Sequence, residues 1–289
     1  IFRKRKGGML LKWEQSMDAL HIISTAPFFA KGGKQFRTED FDLYCTALSA
    51  LAWRKNNGKI SLYTDKKGEE YYYSLKLDVL WDDICVCIPE DLEGIDPIMF
   101  WAGGKLFALR ETNAPIVMID TDFIVWEPLK FGRELIAAHR EELSPDIYPP
   151  IGYFKTCGHV LPDFDESVLP LNTAFLYLPD NDFKEFYTSQ AIAFMKSSEN
   201  TGDVLRYMVF AEQRMAAMCA EYTGVPVKTL LDKDNLFFPQ SAFTHLWGAK
   251  QAMRDNPALR EDFLKRCRAR LKTEFPEYGY IADIIDKQN

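Results

Sequence analysis

An unbroken apolar run, Ala114 to Ile119, ends abruptly in Asp120-Thr121-Asp122. A run of this length without polar alternation predicts a strand buried on both faces, the kind found inside parallel sheets that helices cover. The preceding chain supplies such helices. Thr38 to Asn57 predicts a helix, with Phe41, Tyr44, Leu48 and Leu51 at helical spacing and Asn56-Asn57-Gly58 as its stop. Lys59 to Thr64 predicts a short strand, Glu69 to Leu77 a helix, and Ile84 to Ile88 a strand. Asp96-Pro97 opens another helix, with Asp as cap and Pro in the first turn, expected to reach about Arg110. It is apolar nearly all round, so it should be buried. Alternation of strand and helix over 38–120 predicts a parallel α/β sheet.

Farther on, Ala174 to Leu178 and Val225 to Leu230 predict strands, and 181–197 and 203–222 predict helices. Asn256-Pro257 starts a last amphipathic helix, expected to reach about Leu271. Its stripe of Leu259, Phe263, Cys267 and Leu271 is flanked by Arg260, Lys265, Arg266, Arg268, Arg270 and Lys272. Such a helix packs its stripe and solvates its charges, or lies on an anionic membrane surface.

Composition narrows the classes. A hydrophobic share of 47% with 27% charge is that of a globular chain, not a disordered, collagenous or coiled-coil one. A chain of 289 residues can bury about three-quarters of its surface, so it needs no staple to fold. The net charge of −7 offers nucleic acid no long-range attraction. No apolar run approaches the roughly 18 residues of a membrane span. Arg3, Lys4, Arg5 and Lys6 precede only Met9 to Leu11, too short for a secretory core, and read as a solvated strand end or arm. The six cysteines include no Cys-x-x-Cys pair and the four histidines are far apart, so reduced, buried thiols in a cytoplasmic protein are expected rather than zinc.

Five Asp-x-Asp triplets occur, at 40/42, 120/122, 163/165, 180/182 and 232/234. Only 120/122 follows a buried strand; Asp40 and Asp180 stand at helix starts, where capping explains them. Ligands of open α/β sheets bind beyond the carboxyl ends of strands. Two carboxylates there repel unless a cation lies between them, and oxygen-rich sites suit Mg²⁺ or Mn²⁺ bound with substrate phosphates. A capped turn is the plainer alternative.

The segment PIVMIDTDFIVWEPL resembles the strand and Asp-x-Asp signature of nucleotide-sugar glycosyltransferases with the GT-A fold. Three further segments resemble that superfamily in the same order. ISLYTD, ending at Asp65, is similar to the strand whose end contacts the nucleotide; LNTAFLYL to the Asn-Thr-Gly segment lining the donor sugar, with Ala174 for Gly; HLWGAK to the late His-x-x-Gly motif. Only Ala249 separates Gly248 from Lys250, where the glycogenin-like branch has two residues. Bacterial capsule and lipopolysaccharide transferases are the other branch that fits.

The resemblance implies one GT-A-like domain over 1–289, a mixed, mostly parallel sheet flanked by helices. Residues 38–125 would be its nucleotide-binding half and 126–289 its acceptor and metal-completing half. It implies Asp120, Asp122 and His245 as ligands of Mn²⁺ or Mg²⁺, Lys250 on the diphosphate, and Tyr63, Thr64 and Asp65 at the nucleoside. Asp120, Thr121, Asn172, Thr173 and Gly248 would also line the substrates. By itself His245, beside Trp247, would read as a hydrogen-bonded structural residue, as His21, His139 and His159 do.

Two residues stand out without the resemblance. Leu205, Met208, Met215, Cys219 and Tyr222 share a face of the 203–222 helix, and Glu212 falls on it. An inward carboxylate is costly unless paired or used. Glu212-Gln213 also resembles the acidic-Gln pair near the reacting sugar. Lys105, the lone charge of Ile98 to Leu109, either snorkels to water or meets a phosphate.

The expected activity is metal-dependent transfer of a sugar from a nucleoside diphosphate donor, UDP-sugar foremost, to a saccharide or lipid-linked acceptor. Glu212, Gln213 and Lys250 would be catalytic, with Glu212 or Asp165 as base if the reaction inverts. A cytoplasmic location is expected, at the inner membrane face if the acceptor is lipid-linked. The rivals are a metal-dependent nucleotidyltransferase and a silent saccharide-binding protein of the same fold.

Overall fold

A computed structural model of the protein describes residues 16–236, 238 and 240–288. The basic Arg3–Lys6 segment lies outside them. The first part of the chain runs β1 (Ala19–Ile23), α1 (Ala26–Ala30), α2 (Asp40–Asn56), β2 (Ile60–Thr64), α3 (Lys66–Ser74), β3 (Asp83–Val86), α4 (Gly104–Arg110), β4 (Ile116–Ile119) and β5 (Phe123–Val125). It continues β6 (Leu135–Arg140), β7 (Leu171–Leu178), α5 (Asn181–Ser197), α6 (Val204–Val209), α7 (Met215–Thr223), β8 (Val227–Thr229), β9 (Phe243–His245), α8 (Ala249–Asp255), α9 (Pro257–Glu274) and α10 (Tyr280–Asp286).

Seven strands form one sheet in the order β3-β2-β1-β4-β7-β6-β8. β7 is antiparallel to both neighbours, β4 and β6; the other pairs are parallel. This is the expected α/β class, a mixed and mostly parallel sheet flanked by helices.

β4 explains the apolar run. Val117 and Ile119 face a layer holding α2, α9 and α10, whereas Ile116 and Met118 face the layer of α4, α5 and α7. All four residues are buried, so neither side tolerates a polar group.

Several elements differ from the sequence reading. The helix expected from Asp96 begins at Gly104, and 96–103 forms turns. A Cβ on Gly104 would lie 2.6 Å from Ser24 Cβ, so the glycine lets α4 approach the end of β1. The 203–222 helix is two α-helices joined by a π-helical turn, Phe210–Arg214. The turn rotates the faces, and Leu205 and Tyr222 are exposed rather than buried. In α9, Leu259 is exposed while Leu264, Cys267 and Leu271 are buried. Its Arg260, Arg268 and Lys272 pair with Asp40, Asp286 and Asp283. Cys45, Cys219 and Cys267 are buried as expected, but Cys157 is exposed. Among the described residues no helix is long and apolar enough to cross a membrane.

Candidate active site

The carboxyl end of β4 opens into a cavity of about 1320 Å³. Single-ligand pockets run roughly 300–1,000 Å³, so there is room for two substrates. Asp120 follows the last residue of β4, and its backbone N–H donates to Ala174 O at 2.8 Å, which ties it to β7. Phe123 N–H then donates to Asp120 O at 2.9 Å, closing a tight turn that carries Asp122. β5 emerges from this turn and pairs with β9, placing His245 opposite Phe123. Leu246 N–H donates to Asp122 O at 3.2 Å. Residues more than 120 positions apart thus reach the same opening, which Asp120, Thr121, Asp122 and His245 all line.

Two ammoniums divide the carboxylates. Lys105, in the first turn of α4, lies 2.6 Å from Asp120 Oδ1 and 2.7 Å from Glu212 Oε1. Lys250, in the first turn of α8, lies 2.9 Å from Asp122 Oδ2 and 3.0 Å from Asp42 Oδ1. Asp42 comes from the start of α2. Four carboxylates share two ammoniums, so the floor keeps surplus negative charge when all are ionised.

Burial and pairing compete in each group. Burial works against the charge on Lys105, but Asp120 and Glu212 outweigh it and raise its pKa. Lys250 is raised in the same way, against burial, by Asp122 and Asp42. Burial pushes Asp120 up to about 6 despite Lys105. Asp122 goes down, because Lys250 and His245 overcome its burial. Burial brings His245 down to about 4 against the pull of Asp122, so its imidazole is neutral at pH 7 with a lone pair to offer.

Glu212 sits in the π-helical turn, an element that often marks functional sites because it re-aims one side chain. Glu212 Oε1 also accepts from Thr173 Oγ1 at 2.7 Å, and Tyr187 Oη donates to its backbone oxygen at 2.8 Å. Gln213 accepts from Tyr148 Oη at 2.6 Å. Asn172 Nδ2 donates to Glu141 Oε1 at 3.0 Å. Lys105 neither snorkels nor stands alone; it spans two carboxylates.

Ten of the expected residues line this cavity: Lys105, Asp120, Thr121, Asp122, Asn172, Thr173, Glu212, Gln213, His245 and Lys250. Tyr63, Thr64, Asp65 and Gly248 do not. Asp65 is fully buried and spends its oxygens on the backbone N–H of Gly68 and Thr25 and the hydroxyl of Thr25, at 2.9, 2.5 and 2.8 Å. Beside it, the cavity wall is made by Ile22, Ile23 and Ser24 at the end of β1. Asp165, offered as a base, is not in the lining either; its carboxylate accepts from Ser167. Asp42 and Glu141 were not singled out by sequence. Asp42 shares the 40/42 triplet with Asp40 of the helix start, yet its carboxylate turns inward to Lys250.

The donor set suits a divalent ion in chemistry: two aspartates and a neutral imidazole around one cavity. As they stand, the carboxylates hold lysine ammoniums, and among the described residues no three metal-capable side chains converge on a point.

Residues 24–282 match the model of a family of unknown function, DUF6734. The chain belongs to that family. No curated protein matches it. Three glycosyltransferases are among the solved structures similar to this member. The galactosyltransferase LgtC, solved with donor and acceptor sugar analogs, is 13% identical at a TM-score of 0.45, over 82% of this chain and 94% of LgtC. GlyE of Streptococcus pneumoniae TIGR4 is 13% identical at a TM-score of 0.41, over 84% of this chain and 50% of GlyE. The PaToxG glycosyltransferase is 12% identical at a TM-score of 0.41, over 72% and 70%.

Proposed function

We propose that this DUF6734 member transfers a glycosyl group from a nucleoside diphosphate sugar to a saccharide or lipid-linked acceptor, with a divalent cation. The observation that supports this most is the pair of lysine-bridged carboxylates at the end of β4, in a cavity roomy enough for two substrates. Asp120, Asp122 and His245 are the residues that would hold Mn²⁺ or Mg²⁺. When bound, such an ion neutralises charge on a departing diphosphate.

The chain's own groups do the rest. Lys105 and Lys250 keep their protons and present fixed positive charge where the leaving phosphate gains negative charge. Thr173 and Lys105 hold Glu212 in one orientation, and Tyr148 holds Gln213, so both present set polar atoms to the sugar. Asn172 is aligned by Glu141.

Isothermal titration with UDP-glucose and UDP-galactose, with and without MnCl₂, tests the reading. Metal-dependent binding, followed by release of nucleoside diphosphate, is expected. Asp122→Ala should weaken that binding at least tenfold, since it removes a charged partner from a desolvated site. Sugar-nucleotide binding that ignores manganese would sink the metal role. Release of pyrophosphate instead would point to nucleotidyl transfer.

A further inference from the structure

The cavity continues past its charged floor. Trp101, Leu143, Ile147, Leu169 and Leu205 also line it, each 36–50% exposed, together with the ion-paired Glu142 and Lys233. They come from separate segments: the turns before α4, the loop after β6, the lead into β7, and the start of α6. Large apolar side chains from four segments facing one opening are unusual for a surface that meets only water, and such clustering marks a binding region.

This mouth is built rather than incidental. Arg206 Nε donates to Asp146 O at 2.8 Å, and the buried Arg214 donates to Glu166 O at 2.7 Å, which fixes the 141–166 loop against α6 and the π-helical turn. The mouth also runs directly into the site. Leu205 and Val209 of α6 and Glu212 of the π-helical turn all line the cavity. Ile147 lies between Asp146, which accepts from Arg206, and Tyr148, which holds Gln213.

We infer that the acceptor is an amphiphile: a sugar carried on an aliphatic chain, with the sugar at Glu212 and Gln213 and the chain on these five side chains. This deepens the glycosyltransferase reading and rests on it. Four of the five are Leu or Ile, which favours an alkyl chain over a stacked ring. The charged floor cannot take that chain, so only one orientation of the acceptor is compatible with the cavity.

Titration of the full chain with hexyl, heptyl and octyl β-D-glucopyranoside, below their micelle concentrations and without donor, tests it. Affinity should rise two- to fourfold per methylene; fourfold corresponds to about 0.8 kcal/mol for a fully buried CH₂. The double variant Ile147→Ser with Leu205→Ser should lose this gain while unfolding at the same urea concentration as the parent. Equal affinities across the series, no binding of the octyl glucoside, or a gain that survives the double variant overturns the inference. A chain-length gain in a protein that turns over no sugar nucleotide upholds the amphiphile site and sinks the transferase reading. Turnover onto plain saccharides without any chain-length gain does the reverse.

Discussion

The floor of the cavity shows how one residue's cost is met by another's. Lys105 and Glu212 have side chains only 14% and 3% exposed, so each would be an expensive lone charge. Breaking a buried pair by removing one partner commonly costs 3–5 kcal/mol. Here Asp120 still holds Lys105, so Glu212→Gln should cost less, about 2–3 kcal/mol in urea unfolding. Adding Lys105→Met should cost less in that background than in the parent, because it then leaves only Asp120 without its ammonium rather than both carboxylates. A double variant no more stable than the sum of the singles would mean the two groups are not coupled. His21 gives a second residue-scale prediction. Trp81 Nε1 donates to His21 Nδ1 at 3.1 Å, so the neutral ring carries its proton on Nε2, 3.0 Å from Ser49 Oγ. Burial pushes its pKa down to about 3 from 6.5. Between those values the unfolded chain takes up a proton that the folded chain refuses. The stability is therefore complete above pH 6.5 and falls with acid, approaching about 1.4 kcal/mol per pH unit for this group. His21→Gln should flatten the urea-midpoint profile below pH 6.5; parallel profiles would show that His21 is not the source.

At the scale of elements, the carboxylate at the end of β2 serves the fold. Asp65 caps α3 through Gly68 and anchors the turn after β1 through Thr25. Asp65→Ala should therefore cost roughly 2–4 kcal/mol, a lost cap plus buried donors left unpaired. Sugar-nucleotide affinity of the fraction still folded should not change. An unaltered unfolding midpoint with weakened nucleotide binding would restore Asp65 to the site. The sequence made β2, β4, α2, α5 and α9 legible because their patterns are long or uniformly apolar. It missed β1, a five-residue strand centred on a histidine, and β5, which is only three residues long and depends on β9 far along the chain. It also missed the π-helical turn, since one extra residue leaves no compositional mark, although Glu212 on an apolar face hinted at its consequence. The cavity side of Asp42 was hidden for another reason. Asp40 and Asp42 both suit a helix start, and only the fold reveals that Asp40 meets Arg260 while Asp42 meets Lys250.

Across the whole molecule, the site depends on a layer far from it in sequence. α2 supplies Asp42 at its start and is covered on its outer face by α9 and α10. Ile281, Ala282 and Ile285 of α10 are fully buried, and Asp286 receives a 2.8 Å hydrogen bond from Tyr44 of α2 and an ion pair from Arg268 of α9. Burying two isoleucines and an alanine contributes about 4–6 kcal/mol, a large part of the 5–15 kcal/mol that holds a typical protein folded. Ending the chain after Gly279 should therefore lower the unfolding midpoint sharply and broaden the transition. It should also weaken ligand binding at the cavity, because α2 would lose the support that holds Asp42 against Lys250. The discriminating control is Asp286→Asn, which keeps the apolar contacts and removes only the charge. It should cost about 1 kcal/mol, the scale of one partly exposed pair, and leave binding intact. If the truncated chain instead melts at the parent's midpoint and binds as well, α10 is a cover that the site does not need, and the packing of α2 against α9 with the Lys250 pair suffices to place Asp42.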